Sequence, residues 1–80
     1  MNYCYEELVE DLSRGHEIEF SYHGEKYSIS RNKDGWYLTK YNDENAQQTF
    51  KESDELLKKA KIGSKNIYLI WNEVEDISVF

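Results

Sequence analysis

The chain is predicted to be α+β: an N-terminal helix, an antiparallel sheet of three to four strands, and two C-terminal helices packed mainly on one face of that sheet. Three features of the sequence predict this. Apolar residues near the start recur at helical spacing, the centre alternates with period two around tight turns, and helical spacing returns after residue 53. Eighty residues form one domain, 1–80, small enough that its stability is marginal. Two Trp, three Phe and seven Tyr supply core area that so short a chain otherwise lacks. With no Pro and Gly only at apparent turns, the body of the chain is expected to be ordered.

Residues 3–14 read as the first helix. Tyr5, Leu8, Val9 and Leu12 form one apolar stripe, Asn2 can cap the start, and Gly15 stands where a left-handed residue ends a helix. HEIEFSYHGEKYSIS, residues 16–30, then alternates around a two-residue His23-Gly24 turn. That turn pairs Tyr22 with Glu25, Phe20 with Tyr27 and Ile18 with Ile29, so every apolar residue lands on one face. A turn at Asn32-Lys33-Asp34-Gly35 leads into GWYLTKY. As a four-residue loop it pairs Arg31 with Trp36 and Ile29 with Leu38. As a three-residue loop it turns Tyr37, Thr39 and Tyr41 inward instead. Leaving Leu38 and Trp36 in water is the costlier choice, by roughly 2 kcal/mol or more per side chain. Trp36 and Leu38 are therefore expected to face the core, and Tyr37, Thr39 and Tyr41 to face outward beside Glu17, Glu19, Ser21, Ser28 and Ser30.

NDEN, residues 42–45, reads as a loop and AQQTF as a short fourth strand. Ser53 is expected to cap a helix with Asp54 and Glu55 in its first turn, Leu56, Leu57 and Ala60 facing in, and Lys58, Lys59 and Lys61 near its end; Ile62 and Gly63 close it. Ser64 can cap a last helix carrying Ile67, Ile70, Trp71 and Val74. A buried strand is the rival for IYLIW, since five consecutive apolar residues fit either. The final DISVF either pairs at a sheet edge or frays.

Net charge is −6 and uneven. Residues 1–24 set six acids (Glu6, Glu7, Glu10, Asp11, Glu17, Glu19) against Arg14, whereas residues 25–41 are slightly basic. An acidic field of this kind repels phosphate backbones and disfavours nucleic-acid binding. No apolar run approaches the roughly 20 residues of a membrane span. The start, MNYCYEELVED, lacks the cationic flank and apolar stretch of a signal peptide, and the single Cys4 cannot form an internal disulfide. A cytoplasmic protein is expected.

Chemistry-bearing patterns are sparse. No phosphate-binding glycine loop, nucleophile elbow or Cys–His metal pattern occurs. His16 and His23 stand at opposite ends of one strand. Cys4, in a first helical turn, sits among acids that oppose a reactive thiolate. Asp43-Glu44 lacks the ligand spacing of a calcium loop, and Glu17/Glu19 resemble an ordinary solvated strand pair. No enzyme activity, metal or cofactor is predicted. The candidate partner-binding residues are the outward stripe Tyr37, Thr39 and Tyr41, with Glu17 and Glu19 beside it, and the acids Glu6, Glu10 and Asp11 of the first helix. Tyrosine gives contact area at small entropic cost, although tyrosine and threonine are also plain strand formers.

Residues 18–24 (IEFSYHG), 27–29 (YSI), 35–37 (GWY), Phe50, 55–62 (ELLKKAKI), Lys65, Ile67, Ile70 and Trp71 together resemble a group of short, acidic, uncharacterised proteins from Firmicutes and their phages. The similarity spans roughly residues 5–75. It rests on core and turn positions, so it implies a shared fold and assigns no activity. With the charge balance it points to a non-catalytic protein-interaction module, of the kind phages direct against host nucleic-acid-handling or defence proteins. Such a module would occupy a partner's basic surface by imitating a nucleic-acid backbone. The alternative is a domain binding a peptide or small molecule in a groove between sheet and helices, lined by Tyr22, Tyr27 and Tyr68.

Overall fold

The computed structural model describes residues 3–80. The architecture is α+β, with α1 (Tyr5–Ser13), β1 (Ile18–Tyr22), β2 (Glu25–Asn32), β3 (Gly35–Lys40), β4 (Asp43–Phe50), α2 (Ser53–Lys59), β5 (Lys61–Ile62), β6 (Lys65–Asn66), α3 (Ile67–Ile70) and β7 (Glu75–Val79) in chain order. A 3₁₀ turn, Trp71–Glu73, links α3 to β7. One antiparallel sheet has the strand order β4-β3-β2-β1-β7, and β5 and β6 form a separate hairpin.

The two central hairpins adopt the expected registers. Ile18 pairs with Ile29, Phe20 with Tyr27 and Tyr22 with Glu25, around a turn in which His23 and Gly24 both have positive φ. Arg31 pairs with Trp36 and Ile29 with Leu38; pairing continues to Asn32 and Gly35, so the turn itself is only Lys33-Asp34. Strand pleating therefore puts Ile18, Phe20, Tyr22, Tyr27, Ile29, Trp36 and Leu38 on one face. Trp36 and Leu38 are 8% and 1% exposed. Leu8 and Leu12 of α1, Leu56 and Leu57 of α2, and Ile67 and Ile70 of α3 close over that face into a single core with Trp71 and Val74. Dropping this apolar area into a shared core is the main stabilising term for so small a domain.

α1 ends as expected, with Gly15 at φ +88 and its N–H bonded to the Leu12 carbonyl at 2.9 Å. The cap expected from Asn2 lies outside the described residues. Five other expectations are corrected. Five strands, not three or four, make the sheet, because DISVF pairs with β1 as β7. NDEN is not a loop: Asn42 takes φ +67, which makes a two-residue turn with Tyr41, and pairing resumes at once between Lys40 and Asp43. Ser53 is the first helical residue and Glu52 stands at the cap position. α2 stops at Lys59, because Ala60 is extended and Lys61-Ile62 turns through Gly63-Ser64 to pair with Lys65-Asn66. The Gln48 amide holds that hairpin to β4, donating to the Lys61 carbonyl at 2.6 Å and accepting its N–H at 2.9 Å. Finally, Asn66 rather than Ser64 caps the last helix, accepting the Leu69 N–H at 3.0 Å. IYLIW is helical, and Ile67, Ile70, Trp71 and Val74 are all buried as the spacing predicts.

No helix among the described residues is long and apolar enough to cross a membrane.

Candidate functional site

The predicted partner-binding residues fall on two separate surfaces. Glu6 and Glu10 ride on the solvent side of α1, with Glu7 beside them, because Leu8 and Leu12 take the inner side. Glu17, Glu19, Tyr37, Thr39 and Tyr41 lie on the sheet face away from the helices, since they alternate with the buried residues of β1 and β3. The domain's core separates the two sets, so a flat partner surface meets one of them at a time.

On α1 the acids have unequal duties. Asp11 is half-buried and accepts the Tyr3 hydroxyl, tying the residues before α1 to its second turn. Burial, then that bond and the Asp11 charge, push the Tyr3 phenol well above its ordinary value. Glu7 turns back to accept the Cys4 N–H at 3.2 Å. Glu10 pairs with Arg14 at 2.8 Å, both side chains exposed, a contact of small energetic weight. Glu6 is exposed and has no ion pair among the described residues. Tyr3 supplies a pH test. Its folded pKa lies above the unfolded one, so its stabilising contribution is complete below about pH 10 and is lost as pH rises from there toward the folded value. Urea melts of the natural chain should weaken above about pH 10 more steeply than those of Tyr3→Phe. Parallel decline of the two would remove the Tyr3–Asp11 contribution.

On the sheet face the polar groups hold one another. Tyr41 donates to Glu19 at 2.5 Å, Lys26 stands 3.5 Å from Glu19 and 5.2 Å over the Tyr41 ring, and Tyr37 donates to Asn32 at 3.0 Å. The bond from Tyr41 is the main cause holding the Glu19 carboxyl below its usual range, and it raises the Tyr41 phenol. Thr39 accepts from the Gln47 amide at 3.3 Å. Tyr41 is 39% exposed, whereas Tyr37 and Thr39 are half-buried among their neighbours. Among the described residues no helix covers this face, because the chain's last segment runs along the sheet edge as β7. The result is a flat, self-bonded surface of mixed charge.

His16 bonds the Phe80 carbonyl through Nδ1 at 2.9 Å, and His23 approaches Glu73 at 3.5 Å, at the other end of β1. The described residues contain no group of three side chains fit to hold a metal.

A third surface was not singled out from sequence. A cavity of about 680 Å³ opens between the start of α1, α3 and its 3₁₀ turn, and β7. Tyr5, Tyr68, Leu69, Trp71 and Ile77 supply its aromatic and aliphatic lining, and Cys4, Glu6 and Asn72 add polar lining beside them. Tyr5 meets Tyr68 edge to face at 4.9 Å. Tyr68 and Leu69 are 63% and 58% exposed. The trio Tyr22, Tyr27 and Tyr68 does not converge: the first two line a different depression, beside the β5–β6 hairpin. The missed signal was the run IYLIW itself. A helix that buries Ile67, Ile70 and Trp71 must expose the two residues between them.

The class of protein so defined is a small α+β domain with a bare sheet face, an acidic helix and an aromatic groove at one edge. Compared with protein-family models, curated proteins and solved structures, the chain gives no match to any.

Proposed function

We propose that the chain is a non-catalytic acidic interaction module that docks on a cationic surface of a protein partner through the outer side of α1. The observation that carries this is the exposure of Glu6, Glu7 and Glu10 along one helix with Arg14 as the only cation among its neighbours in sequence. Such a row of carboxylates imitates the spacing-tolerant negative field of a nucleic-acid backbone. A protein whose basic surface handles nucleic acid, host defence proteins facing a phage included, is the partner class this chemistry fits, and occupancy would inhibit it. Tyr37, Thr39 and Tyr41 with Glu17 and Glu19 offer a second face for a further contact.

The test is salt and charge reversal. Proteins captured on the immobilised chain at low salt should elute steeply as salt rises. Glu6→Lys with Glu10→Lys should weaken capture by about a hundredfold, because like charges then meet across the contact. The melting midpoint should hardly move, since both side chains are exposed. Capture that ignores salt would remove the mimicry.

A second reading, a small molecule held in the groove, is favoured by the 680 Å³ cavity. It requires a ligand that shifts Tyr5, Tyr68 and Trp71 resonances and does not slow hydrogen exchange at the Ile77 and Val79 amides.

A further inference from the structure

We infer that the free edge of β7 and the aromatic groove beside it form one docking site for an extended segment of a partner protein, alternating apolar residues with Lys or Arg. The inference rests on the acidic-module reading above and names the part of the partner that would be held.

β7 closes the strand order and no strand among the described residues lies beyond it. Its register fixes which backbone groups are spent. The Phe80 N–H bonds the Glu17 carbonyl at 2.8 Å, and Ser78 and Val79 stand opposite Glu19 and Ile18. Antiparallel pairing alternates, so Ser78 and Phe80 turn their N–H and C=O toward β1, while Ile77 and Val79 turn theirs away. Edges of this kind are commonly blunted by Lys, Pro or a bulge. β7 has neither Lys nor Pro, and its irregularity, with Asp76 at φ +55, lies before the stretch that faces outward.

The groove adjoins that edge directly. Ile77 packs against the core and also lines the groove with Tyr68 and Leu69. A strand added to β7 would place alternate side chains on the same face as Ile77 and Val79, over the aromatic floor. Large apolar side chains left in water at such a place mark an interaction surface.

Charge selects the occupant. Residues 66–80 carry Glu73, Glu75 and Asp76 with no Lys or Arg, and residues 3–13 carry Glu6, Glu7, Glu10 and Asp11 with none. A second copy would bring its own −6 and the same acids to the same edge, whereas a cationic strand is attracted by all of them.

The full chain, ¹⁵N-labelled, should be titrated at low salt with two blocked peptides of equal composition. One alternates Leu and Arg; the other groups them in two blocks. The alternating peptide should bind at least about tenfold more tightly and slow hydrogen exchange at the Ile77 and Val79 amides. Val79→Pro removes an outward donor without touching the β1 ladder, and Tyr68→Gln with Leu69→Gln strips the groove at exposed positions. Each should cost about tenfold in affinity. Equal binding of the two peptides, or full affinity in both variants, overturns the inference. Loss of binding only in Glu6→Lys/Glu10→Lys also overturns it and leaves the acidic-module reading standing. Edge binding that is indifferent to salt removes the charge selection of the occupant, and overturns the inference together with the acidic reading. A dimer seen in sedimentation and dissolved by Val79→Pro assigns the edge to a second copy, which overturns the partner segment.

Discussion

Trp71→Ala is expected to bring the domain close to global unfolding. The indole is 4% exposed and lies at the meeting point of three elements. Its ring meets Phe20 of β1 edge-on at 5.3 Å and tilts against Tyr3 at 6.3 Å, and its Nε1–H donates to the Tyr3 carbonyl at 3.1 Å. Truncation removes the transfer energy of the ring and leaves a cavity between α3 and the sheet, a loss of about 3–5 kcal/mol. A chain of this length has about 4–12 kcal/mol in all. The urea midpoint followed by far-UV circular dichroism should fall toward zero denaturant. Trp71→Phe keeps most of the packing and should lose about 1–2 kcal/mol, including the bond to the Tyr3 carbonyl. A loss below about 1.5 kcal/mol for the alanine variant would mean that the groove side of the core is loosely packed.

That residue also shows what the sequence can reveal. Period-two alternation identified Phe20, Ile29, Trp36 and Leu38 as one face, because any slip by one residue would have put all of them in water. Helical spacing likewise picked out Trp71 with Ile67, Ile70 and Val74. The elements that escaped are those whose form depends on distant partners. Lys61-Ile62 pairs with Lys65-Asn66 while Gln48 holds Lys61 from β4, and no local pattern encodes that reach. β4 begins at Asp43 because Asn42 accepts positive φ, while its polar run, set at a sheet edge, imitates a loop. For the surfaces, alternation was enough to put Tyr37, Thr39 and Tyr41 outward. It could not show that Tyr41 is engaged by Glu19, or that Tyr68 and Leu69 stand beside an open β7. Those relations join residues far apart in the chain, and they matter most for what the protein can hold.

Gly35→Ala should be the most damaging of the glycine-to-alanine substitutions. Gly35 opens β3 at φ +146, a backbone region that residues with a side chain rarely enter. A Cβ there would lie 2.4 Å from the Phe50 carbonyl oxygen and 3.3 Å from its carbon. Both are main-chain atoms of β4, so relief requires β4 to move away from β3. That movement strikes the pairing of Trp36 with Phe50, which closes the core at this end. The φ strain alone costs roughly 1–3 kcal/mol, and the displaced strand adds lost packing around the indole. Gly24→Ala is the matched control. Gly24 has φ +78 with nothing within 4 Å of the added atom, so it should show the conformational cost alone, about 1–2 kcal/mol. Urea midpoints should therefore separate the two alanines clearly. Gly35→Ala should also red-shift tryptophan emission under native conditions, as Trp36 gains water. Equal losses with unchanged emission would show that β4 accommodates the methyl group, and that the contact between Gly35 and the Phe50 carbonyl does not hold the strand pair in place.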